Sequence, residues 1–249
     1  MIPQDAMQLV ADIGNTRLKL AIFKDDEIIF HQVIEKEGAL QLLNSTLKTH
    51  HVSAAILCNT SEVSNEVVSA LSALPIFIHL DHNTPVPIKN EYAVPESLGK
   101  DRLAAAVGAW KLMPSRSVLF FDMGTCITMN FINSEGRFLG GNISPGIRMR
   151  LKAMHFFTDR LPLVPMELPD ELLAKETVKS IQNGGIKGAL REIDSFIEEI
   201  RTEYGEIVII LTGGDANLFV SYTKNKIFVA PYLVLQGLNE ILNYNVNKN

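Results

Sequence analysis

Along the chain, apolar and polar positions fall into a pattern that is laid down once and then returns. Residues 9–30, LVADIGNTRLKLAIFKDDEIIF, read as an apolar strand, an Asp-x-Gly turn, an alternating second strand, a polar turn at Lys24-Asp25-Asp26 and a third strand. Residues 119–140, LFFDMGTCITMNFINSEGRFLG, repeat this without a gap at an offset of 110 residues. Asp12 falls on Asp122, Gly14 on Gly124, Asn15 on Thr125, and the polar turn on Ser134-Glu135-Gly136. A shared order of strands and turns makes duplication the better reading. After the first copy, residues 38–48 read as helix, 53–58 as a buried strand, 62–74 as helix and 76–80 as a strand. Residues 81–98, with Pro85, Pro87 and Pro95, form a loop long enough to be functional. An apolar helix follows over 101–113, and Pro114-Ser115 leads into the second copy. The boundary therefore falls near residue 115, giving domains of 1–115 and 116–249.

The second half continues with Gly140-Gly141, then Ser144-Pro145-Gly146 opening a helix to about residue 155, and a Pro-containing connection over 158–170. The stretch 177–204 is strongly helical. Within it Ile186, Leu190, Ile193, Ile197, Ile200 and Tyr204 recur at four- and three-residue steps as one apolar seam. Such a seam serves a helix packed on its own sheet, or one that also pairs across a dimer interface. A strand over 206–211, the segment Thr212-Gly213-Gly214-Asp215, a short strand near 226–229 and a helix from about Tyr232 complete the chain. Strands alternating with helices in two matched halves predict a two-domain α/β protein with a cleft between the halves.

Composition narrows the classes. Of 249 residues, 47% are hydrophobic and 20% charged, an ordinary globular mixture. Two cysteines, Cys58 and Cys126, make neither a disulfide framework nor a Cys-rich zinc site, so a reducing compartment is expected. The first ten residues have no basic n-region, and no run reaches the roughly 20 apolar residues that span a bilayer. A cytoplasmic protein without a membrane partner is the expectation. The net charge of -5 argues against broad nucleic-acid binding but leaves room for an anion held by a few local donors.

Asp12-Ile13-Gly14-Asn15-Thr16 sits where a buried strand gives way to a tight turn. Glycine lets the backbone approach closely, so amides and the Asn and Thr side chains can face a phosphate. Asp12 is placed to hold magnesium, directly or through water, and Lys19 to supply a cation. A lone Asp-x-Gly is more often a plain Asx-type turn; two copies on matched halves favour paired phosphate loops gripping a nucleotide. Gly213-Gly214 after an Ile/Val/Leu strand suits a flat ligand such as a purine or ribose, although an ordinary turn fits as well. Neither a Walker P-loop nor a G-x-G-x-x-G fingerprint occurs. Asp101 opens a helix, where it serves as an N-cap or as a catalytic carboxylate. Arg102 suits a substrate carboxylate, the orientation of Asp101, or a surface ion pair. Tyr92 reads as a substrate contact or a loop anchor, and Asp122 as an ion ligand or a turn carboxylate. His50-His51 and His79-x-x-His82 lack neighbouring ligand partners and read as surface and loop histidines.

The motifs D-x-G-N-T-x-x-K at 12–19, G-K-D-R at 99–102, D-M-G-T-C-x-T at 122–128, G-G-N-I-S-P-G at 140–146 and T-G-G-D at 212–215 stand in an order that resembles type III pantothenate kinases. These belong to the acetate and sugar kinase, heat-shock chaperone and actin superfamily. The GKDR and GGNISPG segments and T-V-x-S-I-x-x-G at 177–184 discriminate best; Cys126 stands where the family usually has Ala. The resemblance implies two duplicated ribonuclease H-like (actin-like ATPase) domains. It implies transfer of the ATP γ-phosphoryl group to the primary hydroxyl of pantothenate in coenzyme A biosynthesis. It further implies magnesium with ATP, a monovalent cation such as potassium or ammonium, and a homodimer. Carried over by position, Asp12, Ile13, Gly14, Asn15, Thr16, Arg17, Leu18, Lys19 and Thr125 contact ATP. Asp122 lies at the monovalent cation. Tyr92, Gly99, Lys100, Asp101 and Arg102 contact pantothenate, Thr177 reaches it from the partner subunit, and Asp101 is the base, with Arg102 beside it. Two rivals share the fold: a regulatory accessory factor that turns nothing over, and a phosphotransferase or phosphatase for another acceptor.

Overall fold

The computed structural model describes residues 7–246. The first half runs β1 (Met7–Ile13), β2 (Arg17–Lys24), β3 (Glu27–Glu35), α1 (Ala39–Thr49), β4 (Val52–Asn59), α2 (Asn65–Ser72), β5 (Ile76–His79), a short β6 (Lys89–Asn90) and α3 (Lys100–Leu112). The second runs β7 (Val118–Met123), β8 (Cys126–Ile132), β9 (Arg137–Pro145), α4 (Ile147–Phe156) and α5 (Thr177–Gln182). A wide π-helical turn at Asn183–Lys187 carries α5 into α6 (Gly188–Tyr204), followed by β10 (Val208–Thr212), α7 (Ala216–Val220), β11 (Phe228–Val229) and α8 (Leu233–Val246).

The duplication is visible in the sheets. The first is ordered β3-β2-β1-β4-β5, the second β9-β8-β7-β10-β11 with β6 added beyond β9. In each, a hairpin opens the unit (β1–β2 and β7–β8) and two later strands join parallel to its first strand. Duplicated α/β units of this order are what the strand–turn–strand repeat predicts.

Strand alternation then sorts the side chains of β1 between two faces. Leu9, Ala11 and Ile13 pack with Leu42 and Leu43 of α1 and Val67 and Leu71 of α2. Gln8, Val10 and Asp12 point the other way, where Gln8 Nε2 donates to Asn243 Oδ1 of α8 at 2.6 Å. Helix α8 buries Leu233, Leu238, Ile241 and Leu242 and lies against α3 at backbone distance. A Cβ on Gly108 would stand 2.3 Å from Leu233 O, and one on Gly237 would stand 1.8 Å from Ala104 O.

By contacts the chain forms two compact units, one of residues 1–115, 136–139 and 232–249, the other of 116–135 and 140–231. The division thus differs from a single cut near residue 115. The last helix joins the first unit because Gly237 lets it lie on α3 at backbone distance and it packs against β1 and β4. The start of β9 joins it because Lys89 and Asn90 pair with Arg137 and Phe138. Among the described residues no helix is long and apolar enough to cross a membrane.

The apolar seam over 186–204 faces its own unit. Ile186, Leu190, Ile193 and Ile197 are buried, and Tyr204 lays its ring 4.6 Å from that of Phe131. The seam thus packs on its own unit through Ile186, Leu190, Ile193 and Ile197, while Tyr204 keeps 41% of its surface exposed. In the stretch before it, Phe156, Phe157, Leu163, Leu172, Leu173 and Val178 are exposed.

Candidate active site

In the first unit, chemistry collects at the carboxyl ends of the parallel strands, the usual ligand end of such sheets. Asp12 closes β1 with only 6% of its surface exposed, and Lys19, its partner across the hairpin, brings Nζ to 3.8 Å from Asp12 Oδ2. Cys58 pairs in register with Asp12 from β4 and is fully buried. Burial, then the nearby carboxylates of Asp12 and Asp101, push the Cys58 thiol well above its ordinary range, so it stays protonated beside them. Helix α3, which carries Asp101, packs against β4, the strand that carries Cys58.

Asp101 is the second residue of α3, and Gly99 occupies the cap position, its carbonyl accepting from Leu103 N at 3.1 Å. The N-cap reading of Asp101 is therefore overturned. Its Oδ1 instead accepts from Arg102 N at 2.9 Å, which fixes the carboxyl plane. The negative group also lies in the first helical turn, where the dipole favours it. Arg102 is buried, with its guanidinium 5.6 Å from the centroid of the Tyr92 ring. The loop over 81–98 thus delivers Tyr92 to the helix that carries Asp101. His79, at the end of β5, donates from Nε2 to Asn59 Oδ1 at 2.7 Å; burial and then Lys100 hold its imidazole below the usual range.

In the second unit the repeat partner Asp122 closes β7, half-buried, in register with Thr212. Gly213, with φ at +90°, folds the 212–215 segment back so tightly that a Cβ would stand 2.5 Å from Asp122 Oδ1 and from Met123 N and O. Asp215 N donates to Met123 O at 3.0 Å, and Gly146 N donates to Thr125 O at 3.1 Å. Two loops thereby clasp the turn over 123–125, leaving Gly124 and Thr125 exposed. Burial raises the Asp215 carboxyl, opposed by Arg148 at 3.9 Å.

Each expected residue now has a place. Asp12, Lys19, Lys100 and Asp101 share one end of the first unit, with Tyr92 and Arg102 stacked together there. Gly14, Asn15 and Thr16 form the turn, whereas Ile13 and Leu18 turn their side chains into the α1/α2 core, so they have only backbone to offer. Arg17 is exposed and pairs with Glu35 at 3.5 Å. Asp122, Thr125, Gly213 and Gly214 gather in the second unit. Thr177 is exposed at the first turn of α5, which packs against α4 and the wide turn. Sequence reading missed Cys58, Asn59 and Ser61; the signal was the repeat itself, since β4 is the counterpart of β10 and the residues after it correspond to the Gly-Gly segment.

The donor chemistry suits the ions that the resemblance implies. Among the described residues no three His, Cys, Asp or Glu converge on one point. Magnesium is ordinarily held by one or two carboxylates together with substrate phosphates, which Asp12 at the phosphate turn provides. Asp122 and the backbone around it offer the oxygen donors that a hard monovalent cation takes.

A family model described as type III pantothenate kinase matches residues 8–199. The chain is similar to a type III pantothenate kinase of Bacteroides fragilis, at 43% identity over 242 residues, covering 96% of this chain and 98% of that one. Among solved structures it resembles a Campylobacter jejuni chain assigned to the Baf family of transcriptional activators, with a TM-score of 0.65 and 20% identity, covering 96% and 99% of the two chains. MreB5 of Spiroplasma citri bound to ADP shares the fold at a TM-score of 0.53 and 11% identity, covering 99% of each chain.

Proposed function

The chain belongs to the type III pantothenate kinase family, and on that footing we propose that Asp101 accepts the hydroxyl proton of pantothenate, and that the turns at Asp12 and Asp122 are each built to meet phosphate oxygens. The activity is transfer of the ATP γ-phosphoryl group to the primary hydroxyl of pantothenate, giving 4'-phosphopantothenate in coenzyme A biosynthesis. The observation that carries the assignment is the place of Asp101 in the first turn of α3, its Oδ1 held by Arg102 N while the Arg102 guanidinium lies over Tyr92. The hydroxyl oxygen forms its bond to phosphorus as the bond to the bridging oxygen of ADP breaks. The proton passes to Asp101, and ADP keeps the electron pair. Arg102 N holds one carboxyl oxygen, and the other faces the hydroxyl. Arg102 and Tyr92, stacked, form the wall against which pantothenate lies, with Gly99 and Lys100 at its edge. When bound, magnesium at Asp12 and a potassium or ammonium ion at Asp122 offset phosphate charge.

The functional unit is a homodimer. Phe156 and Phe157, about 80% exposed, with Leu163, Leu172, Leu173 and Val178, set six exposed apolar side chains within 156–178, the kind of surface that a partner subunit covers. Thr177 lies within that stretch, which supports its reaching pantothenate held by the partner. The test is a coupled assay of ADP release with and without pantothenate. Release that depends on pantothenate is expected. No release at all would mark an accessory factor, and equal release with other alcohols a different phosphotransferase.

A further inference from the structure

The loop after β4 backs the first phosphate turn through a chain of side-chain bonds. Thr60 N donates to Ile13 O at 3.0 Å, and Ser61 Oγ donates to Gly14 O at 2.8 Å. Lys36 grips the same place twice: its Nζ donates to Ser61 Oγ at 3.0 Å and its N to Thr16 O at 3.0 Å. Asn59 steadies the loop from the other end, with Nδ2 donating to Ser61 O at 2.8 Å and Oδ1 2.7 Å from His79 Nε2. The second unit meets the same need with glycine. There Asp215 N donates to Met123 O, the repeat partner of Ile13, and Gly213 lets the backing loop lie directly on the turn. In the first unit Asn59, the last residue of β4, stands in the place of Gly213, and side chains bridge the gap.

A peptide plane turns as one body, so whatever holds a carbonyl also aims the N–H of the next residue to the opposite side. We propose that Ser61 is a positioning residue for the ATP phosphate turn: by holding Gly14 O against the backing loop, it points the Asn15 N–H away from that loop and toward the phosphates. Lys36 in turn orients the Ser61 hydroxyl, and Asn59 holds the Ser61 backbone through its carbonyl. This inference rests on the reading that residues 12–19 bind ATP.

Steady-state kinetics of Ser61→Ala, Ser61→Thr and Asn15→Ala test it, each with a melting curve. Ser61→Ala is expected to raise KM for magnesium-ATP about three- to tenfold, the worth of one hydrogen bond. Its kcat and KM for pantothenate should hold, and Ser61→Thr, which keeps the hydroxyl, should restore KM. Asn59→Ala leaves that hydroxyl in place and should shift KM for ATP in the same direction by less. An unchanged KM for ATP in Ser61→Ala, while Asn15→Ala raises it, overturns the positioning role and leaves the ATP assignment standing. If neither variant moves KM for ATP, the assignment of the turn itself fails. A fall in kcat with both KM values and the melting temperature disturbed would make Ser61 a general support, which also overturns the proposal.

Discussion

A carboxylate is useful to a kinase only where something holds it, and Asp101 is held by its own helix. The Arg102 N–H takes one oxygen, and Gly99, without a side chain, leaves the space around it open. Asn at this position would still accept that N–H through its amide oxygen, so Asp101→Asn removes proton acceptance and little else. Turnover should drop by roughly 10²–10⁴-fold, the usual span for a general base, with ATP binding intact because both phosphate turns are untouched. Near wild-type turnover in a coupled assay would retire the base assignment. Loss of ATP binding, read by equilibrium titration, would assign Asp101 to the fold instead.

Helix α3 carries Asp101 on its first turn and owes its position to α8. The two helices touch through Gly108 and Gly237, where any side chain would run into backbone carbonyls rather than into movable atoms. Gly237→Ala should therefore push the helices apart at a cost of roughly 1–3 kcal/mol or more, despite the better helix propensity of alanine. A lower melting temperature together with reduced turnover is expected, since α3 moves with its catalytic end. A variant as stable as the parent would show that the helices tolerate a wider spacing.

For the assembled molecule, the exposed residues of 156–178 are the surface to probe. Phe157→Asp with Leu173→Asp changes only exposed positions, so each subunit should keep its melting behaviour. The expected outcome is a monomer by sedimentation with pantothenate turnover largely lost, because the partner subunit's Thr177 no longer reaches the acceptor. A fully active monomer would sink the shared-site reading. Replacing potassium by tetramethylammonium should lower turnover in the parent enzyme, and Asp122→Asn should blunt that response. Equal rates in both salts would argue against a cation at Asp122.

Local pattern alone determined the strand–turn–strand duplication, the positions of Asp12 and Asp122 at strand ends, and the order of the longer helices and strands, though not β6 within 81–98 or α7 after the Gly-Gly segment. These follow from alternation and turn chemistry, which are carried by neighbours in the chain. The GKDR segment marked Asp101, but periodicity could not say whether it capped the helix or stood inside it, a difference of two residues. Tertiary structure decided that, along with the burial of the 186–204 seam, because an apolar stripe does not name the surface that covers it. It decided as well that α8 joins the first unit, since two glycines far apart in sequence reveal their purpose only when their helices meet. The backing of Gly14 by Ser61 was invisible for the same reason: a serine in a polar loop carries no pattern, and its partner lies 47 residues away.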